Sequence, residues 1–240
     1  MKKTELLYEG KAKKVFRTDN DDTLHVEYKD DATAFDGKKK EMLSGKGRLN
    51  NEISALIFAK LHELGIPNHF IERISQTEQR IRKAEMIPLE VVVRNRAAGS
   101  LVKRLGLERG QDMTPPVIEW YLKDDNLGDP LINEEHIRVL GAAAADELTE
   151  MKALALRCNT ALIELFQNAG LILVDFKLEF GRDHSGRIIL ADEISPDTCR
   201  LWDAKTGDSL DKDLFRFDGG NLQGAYETIF SRLGGLTNDV

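Results

Sequence analysis

Asp175, Lys177 and Glu179 occupy alternate positions in the segment Leu173-Val174-Asp175-Phe176-Lys177-Leu178-Glu179-Phe180-Gly181. In an extended strand they share one face, and Phe176, Leu178 and Phe180 form an apolar face behind them. Beyond a polar turn containing Gly181 and Gly186, Asp192 and Glu193 add two carboxylates, expected on opposite faces of a returning strand. Carboxylates this close repel one another unless a proton or cation intervenes, and Mg2+ fills that role where phosphates are handled. A solvated strand face laced with ion pairs uses the same residues. An antiparallel register with its turn over 181–186 sets Asp175 opposite Asp192 and leaves Glu179 further along, so spacing alone does not choose a metal-holding pair.

Three other segments could do chemistry. In Pro88-Leu89-Glu90-Val91-Val92-Val93-Arg94-Asn95-Arg96-Ala97-Ala98-Gly99-Ser100 a strand delivers Arg94 and Arg96, and a small-residue turn then enters a helix. Free N–H groups at a helix start attract phosphate, Gly99 permits close approach, Ser100 adds a hydroxyl and Arg94 a two-pronged guanidinium. An ordinary strand-to-helix turn with exposed arginines fits equally. Gly10-Lys11-Ala12-Lys13, between two expected strands, suits a loop over nucleotide phosphates, although it lacks the Walker and full Rossmann patterns. A lysine-rich surface turn is as economical an account. In the stretch from Glu193 to Asp203, Pro196 stiffens the backbone, Asp197 and Thr198 can order the loop, and Arg200 is presented beside the hairpin carboxylates. Trp202 is expected to pack, and Cys199 has no histidine partner that would make it a nucleophile. The five histidines form no metal pattern.

The elements that must position these groups follow from periodicity. Leu6–Phe16 and Thr23–Tyr28 read as strands, and the polar stretch from Lys29 to Gly47 reads as a loop. Leu49, Ile53, Leu56, Ile57, Leu61 and Leu64 recur at helical spacing, closed by Gly65 and Pro67. Strands are expected at 70–74, 78–83, 89–93 and 117–122, with a short helix over 97–107. A long helix spans roughly 145–169, with Leu148, Met151, Leu154, Cys158, Leu162, Leu165 and Phe166 on one side and Gly170 beyond its end. The hairpin of 171–180 and 187–193 follows, then a charged loop and a terminal helix over 222–233. The class is α+β.

Composition narrows the field. At 240 residues the chain is one to two domains long, which suits a two-lobed unit. Its 41% hydrophobic and 31% charged residues exclude disordered, collagenous and coiled-coil readings. A formal net charge of −7 and the lack of an aromatic–basic motif argue against a nucleic-acid partner. An anionic ligand must therefore be held by a local concentration of cations. No apolar run approaches the ~20 residues of a membrane span, and Met1-Lys2-Lys3-Thr4-Glu5 lacks a signal-peptide core. With two cysteines and no disulfide framework or zinc spacing, a cytoplasmic protein without membrane contact is expected.

The sequence resembles the SAICAR synthetase family. The segments Pro88–Ser100 and Leu173–Gly181 carry the resemblance, and Gly10-Lys11-Ala12-Lys13, the Asp192–Trp202 loop and the overall length agree with it. The resemblance implies an ADP-forming amide ligase of purine biosynthesis that joins L-aspartate to the carboxylate of carboxyaminoimidazole ribotide (CAIR). It implies a β-rich, kinase- or ATP-grasp-like ATP-binding lobe over 1–85 and a larger α/β lobe over 86–240, with a dimer as the expected assembly. The implied cofactors are ATP and Mg2+, the latter on Glu179 and Asp192. Gly10, Lys11, Lys13 and Lys123 would hold the ATP phosphates. Lys83–Met86 would be the hinge for adenine, between apolar walls at Val15 and Leu24. Arg94, Ser100 and Arg200 would take the ribotide phosphate. Lys177 would neutralise the reacting carboxylate, and Asp175 and Asp36 would hydrogen-bond substrate. Two other readings use the same groups: a small-molecule kinase that stops at phosphoryl transfer, and a nucleotide-binding module without turnover.

Overall fold

Alternating apolar residues build two antiparallel sheets, and one amphipathic helix covers the larger of them. The chain is described by a computed structural model over residues 2–34, 39–217 and 219–235. Its first part contains β1 (Lys3–Glu9), β2 (Lys13–Thr18), β3 (Thr23–Tyr28), the paired strands β4 (Asp31–Ala34) and β5 (Lys39–Met42), α1 (Lys46–Glu63), β6 (Phe70–Arg73) and β7 (Glu78–Arg82). There follow β8 (Glu85–Arg96), α2 (Ser100–Leu105), β9 (Asp112–Leu122), β10 (Leu131–Ile132), α3 (Glu134–Leu140) and α4 (Ala145–Asn168). The last part contains β11 (Leu171–Arg182), β12 (Ile188–Ala191), β13 (Cys199–Asp203), α5 (Asp213–Arg216) and α6 (Leu222–Arg232). One sheet has the order β1-β2-β3-β7-β6, and the other the order β10-β9-β8-β11-β12, with β13 also paired to β11.

Strand β11 is the axis of the second sheet. Along one edge it pairs with β8; along the other it pairs first with β13, over 171–176, and then with β12, over 179–182. Its apolar side chains Phe176, Leu178 and Phe180 join the main core. Helix α4 packs against β11 and β8 with Leu148, Met151, Leu154, Cys158, Leu162 and Phe166 buried. Each large aliphatic side chain on this stripe contributes about 1.5–3 kcal/mol of burial. Helix α1 and helix α6 contribute to the same core, whereas the first sheet keeps a small cluster of Val26, Tyr28 and Ile81, with Val15 and Leu24 against it.

Three expectations about the elements need correction. The stretch expected as a loop holds β4 and β5 and the start of α1. Helix α1 begins three residues before its apolar stripe because the Asp30 carboxylate, far from the helix axis in sequence, accepts from the backbone N–H groups of Gly45 and Gly47 at 3.2 and 2.9 Å. The charged loop after the hairpin contains β13, held by its ladder to β11. The hairpin register is Glu179 opposite Ala191, not Asp175 opposite Asp192, because the turn occupies 183–187 and Asp175 pairs with β13 instead.

Candidate active site

The polar face of β11 floors a cleft of about 770 Å³. The β1–β2 turn, with Gly10, Lys11 and Lys13, stands on one side of it, and the segment from Asp192 to Arg200 on another. Glu90, Arg94, Ser100, Tyr121 and Lys123 complete the wall from β8, α2, β9 and the loop after it. Sequence alternation therefore delivers Asp175, Lys177 and Glu179 to one surface as expected, with Phe176 and Leu178 turned to the core.

One end of the cleft is a lattice of lysines and carboxylates. Lys177 Nζ lies 2.6 Å from Glu90 Oε1 and 2.9 Å from Glu179 Oε1, and Lys123 ion-pairs with the other Glu179 oxygen. Lys13 Nζ lies 2.5 Å from Asp192 and 3.1 Å from Glu193. Three ammonium groups thus meet four carboxylates, an excess of one negative charge, and Glu179 is only 2% exposed. Burial disfavours the charge on Lys177, but Glu179, Glu90 and Asp192 outweigh it and hold the ammonium protonated well above the ordinary lysine range. Burial likewise opposes ionisation of Asp192, and Lys13, Lys177 and Lys123 reverse the balance and hold it far below the ordinary carboxylate range.

Asp192 and Glu193 do not point to opposite faces. Strand β12 ends at Ala191, and Asp192 has φ 59°, a left-handed conformation that asparagine and aspartate adopt more readily than other side-chain-bearing residues. The strand alternation breaks there, and both carboxylates reach Lys13.

The other end is a guanidinium lattice of opposite sign. Arg94, 3% exposed, donates to Glu119 at 2.6 Å, to Asp175 at 2.8 Å and to the Tyr121 hydroxyl at 3.3 Å. Arg200 donates to Asp175 and, through Nε, to Asp213 at 2.9 Å. Arg104 pairs with Glu119, and Arg216 with Asp213 at 2.5 Å. Four guanidinium groups meet three carboxylates, an excess of one positive charge. Gly99, with φ 56°, lies directly against the Arg200 guanidinium: a Cβ there would be 2.6 Å from Nη2. The close approach that a glycine at this position permits is thus to an arginine of the site itself. Ser100 opens α2 and lines the same wall.

Of the sequence-predicted residues, Gly10, Lys11, Lys13, Arg94, Ser100, Lys123, Asp175, Lys177, Glu179, Asp192 and Arg200 line one cleft. Val15 and Leu24 instead pack on the small core of the first sheet, Lys83 lies in the link from β7 to β8, and Met86 is exposed near the start of β8. Asp36 lies outside the described residues. Sequence reasoning missed Glu90, Glu119, Tyr121, Asp213 and Arg216. Glu119 and Tyr121 carry a signal, since they alternate on one face of β9 and meet Arg94 there; Asp213 and Arg216 carry none. Trp202 packs with Ala98 and Val174 as expected, and burial pushes the Cys199 thiol far up, so it holds its proton. Among the described residues no three-ligand cluster of His, Cys, Asp or Glu occurs, and no helix is long and apolar enough to cross a membrane.

Comparison with known proteins places this geometry. The phosphoribosylaminoimidazole-succinocarboxamide synthase of Shouchella clausii is 60% identical over 236 residues, covering 98% of this chain and 99% of that one. The crystal structure of the Ehrlichia chaffeensis enzyme of that name, 45% identical, superimposes with a TM-score of 0.95 over 98% of this chain and 100% of its own. A SAICAR synthetase solved in complex with ADP, 52% identical, gives a TM-score of 0.94 over 97% of this chain and 99% of that one. The family model described as SAICAR synthetase matches residues 6–233, and with an α+β fold shared from end to end the chain belongs to the SAICAR synthetase family of purine-biosynthetic ligases.

Proposed function

We propose that the cleft joins L-aspartate to the carboxylate of CAIR at the expense of ATP, giving SAICAR, ADP and phosphate. The observation that carries this reading is the bipolar charge of one continuous cleft: a carboxylate-rich end beside the glycine–lysine turn, and a guanidinium-rich end beside Ser100. A nucleotide with its metal suits the first end and a sugar phosphate the second. The binding of ADP by a relative 52% identical to this chain supports nucleotide binding here.

The chemistry needs such a site. A carboxylate resists attack by an amine because its leaving group would be oxide; phosphorylation turns that oxygen into phosphate, which leaves readily. Phosphoryl transfer then depends on positioning and charge neutralisation. Lys11, Lys13 and Lys123, with the Gly10 backbone, line the wall where the polyphosphate would lie, and Lys177 rises from the floor strand between Glu90 and Glu179. Lys177 neutralises the CAIR carboxylate, and Asp175 orients the substrate while holding Arg94 and Arg200 for the ribotide phosphate.

Glu179 and Asp192 fit a Mg2+ ion. Both are oxygen donors near Lys177, and two carboxylates suit an ion that completes its shell with water and phosphate oxygens. When bound, the ion neutralises charge developing on the β- and γ-phosphate oxygens. Adenine would lie against Lys83–Met86, where the chain crosses from one sheet to the other, with Val15 and Leu24 beside it. That crossing also supports the lobe boundary at 85/86.

The deciding experiment measures ADP release from Mg·ATP and CAIR with and without L-aspartate, and identifies the product by mass. Aspartate-dependent release with a succinocarboxamide product is expected. Release that ignores aspartate would instead assign a small-molecule kinase.

A further inference from the structure

Amide formation from an ammonium group requires a base, and most ionisable groups facing the cleft are poor ones. Glu90, Glu179, Asp192 and Glu193 are tied to lysines, and Asp175 to two arginines. Cys199 keeps its proton, and no histidine lines the cleft among the described residues. Of the lysines, Lys13, Lys123 and Lys177 are each gripped by carboxylates. Lys212 is different. Among the described residues its one ion-pair partner is Asp197, at 3.5 Å, and the same Asp197 oxygen is bound at 2.6 Å by Lys46, a lysine only 2% exposed. The other Asp197 oxygen accepts from the buried Tyr226 hydroxyl at 2.6 Å. Lys212 is therefore a cleft-facing amine that shares one carboxylate oxygen with a deeper ammonium group and holds it at the longer distance.

Its backbone is well fixed. Lys212 N–H donates to the Pro196 carbonyl at 3.2 Å, and the carboxylate of neighbouring Asp211 accepts from Leu201 N–H and Asp213 N–H at 2.8 Å each. The side chain thus enters the cleft from a pinned stem.

We infer that Lys212 is the general base that takes a proton from the attacking ammonium group of the amino-acid substrate. The inference rests on the amide-forming reading above. In the step, the neutral Lys212 Nζ accepts one proton from the substrate ammonium, and the freed nitrogen lone pair forms the C–N bond. The C–O bond to phosphate breaks with its electron pair, and the second nitrogen proton leaves with the phosphate. The surroundings make Lys212 easier to deprotonate than an ordinary lysine: burial lowers its affinity for the proton, Lys46 of α1 and Arg216 of α5 add to this, and Asp197 and Glu193 of the β12–β13 loop oppose it without reversing it.

The test uses the full chain with Lys212→Ala, Lys212→Met and Lys212→Arg, at saturating Mg·ATP and CAIR. For Ala and Met, kcat/KM for L-aspartate is expected to fall at least ~100-fold, with the CAIR KM changed less than about threefold. Arginine keeps a long hydrogen-bond donor but is permanently charged and cannot accept a proton at neutral pH, so it should not restore the rate. Added primary amines should partly restore Lys212→Ala, with a rate that rises with amine basicity and with SAICAR, not the alkylamide, as product by mass. Near-native turnover of Lys212→Arg would overturn the inference in favour of a cation that merely binds a carboxylate. A slow Lys212→Ala that no amine rescues would overturn it in favour of a structural role. Wild-type ADP release that is independent of L-aspartate would instead remove the amide-forming reading itself.

Discussion

Asp175 and Arg200 stand opposite each other across the β11–β13 pair, and the arginine Nη1 reaches both carboxylate oxygens, at 3.1 and 2.9 Å. Arg94 is the register partner of Asp175 on the other side, in β8. One buried carboxylate thus lies between two guanidinium groups that would repel each other without it. Asp175→Ala should cost about 3–5 kcal/mol of stability, read by urea unfolding, because it leaves buried charge uncompensated. Asp175→Asn should cost less, since its amide oxygen still accepts. A loss below about 1 kcal/mol in the alanine variant would show that solvent or Glu119 already compensates the pair.

Gly99 separates two effects at the same place. Adding a methyl group sets Cβ 2.6 Å from Arg200 Nη2 at a backbone φ of 56°. Gly99→Ala should therefore lose about 1–3 kcal/mol. It should also raise the KM for the ribotide several-fold, while the KM for ATP stays near its original value. Equal effects on both substrates would place the ribotide phosphate elsewhere.

Glu179→Gln and Asp192→Asn test the metal assignment. Each removes a negative charge from a lattice with an excess of only one, so turnover should disappear and binding of Mg·ADP should weaken at least tenfold. Calorimetric titration with ADP alone and with Mg2+ checks this. The variants should lose the metal-dependent increment, and affinity for metal-free ADP should hold or rise because Lys13, Lys123 and Lys177 then face less negative charge. An unchanged increment would move the ion to other ligands.

What was legible in the sequence, and what was not, follows the range of the interactions involved. The alternation in β11 is local, so Asp175, Lys177 and Glu179 could be assigned to one surface from spacing alone. The register could not, because β11 divides its edge between β12 and β13, and no local signal in 193–203 announces a second partner strand. The start of α1 depends on a capping carboxylate, Asp30, about fifteen residues before the capped backbone, and polarity alone made that stretch look like a loop. The opposite signs of the two cleft ends were also hidden. Arg94 and Arg200 were visible as cations, but the partners that set the local sum, Glu119, Asp213 and Arg216, arrive from β9 and α5. The left-handed backbone of Asp192 likewise defeats a prediction built on strand alternation.

Asp211 makes stability depend on pH in a direction opposite to the ion-paired carboxylates. It is fully buried, and burial, reinforced by Asp213, raises its pKa from 3.8 to about 6 despite hydrogen bonds from Leu201 N–H, Asp213 N–H and Ser209 Oγ. The folded state thus binds this proton more tightly than the unfolded state, so the associated stability is fully present below pH ~3.8 and is lost as pH rises through ~6. The loss amounts to ~3 kcal/mol for a difference of this size. Asp192 and Asp197, held far below their ordinary range, act the other way: their contribution is present above the unfolded carboxylate pKa of ~3.8 and is lost progressively as pH falls below it. Subtracting the urea stability of Asp211→Asn from that of the wild type cancels those groups. The difference should shift against the wild type by ~3 kcal/mol between pH 4 and pH 7, whatever its absolute offset. A difference independent of pH would mean that the three hydrogen bonds keep the Asp211 carboxylate ionised throughout, and that the loop carrying Lys212 and Asp213 is held to β13 by an anion at every pH in that range.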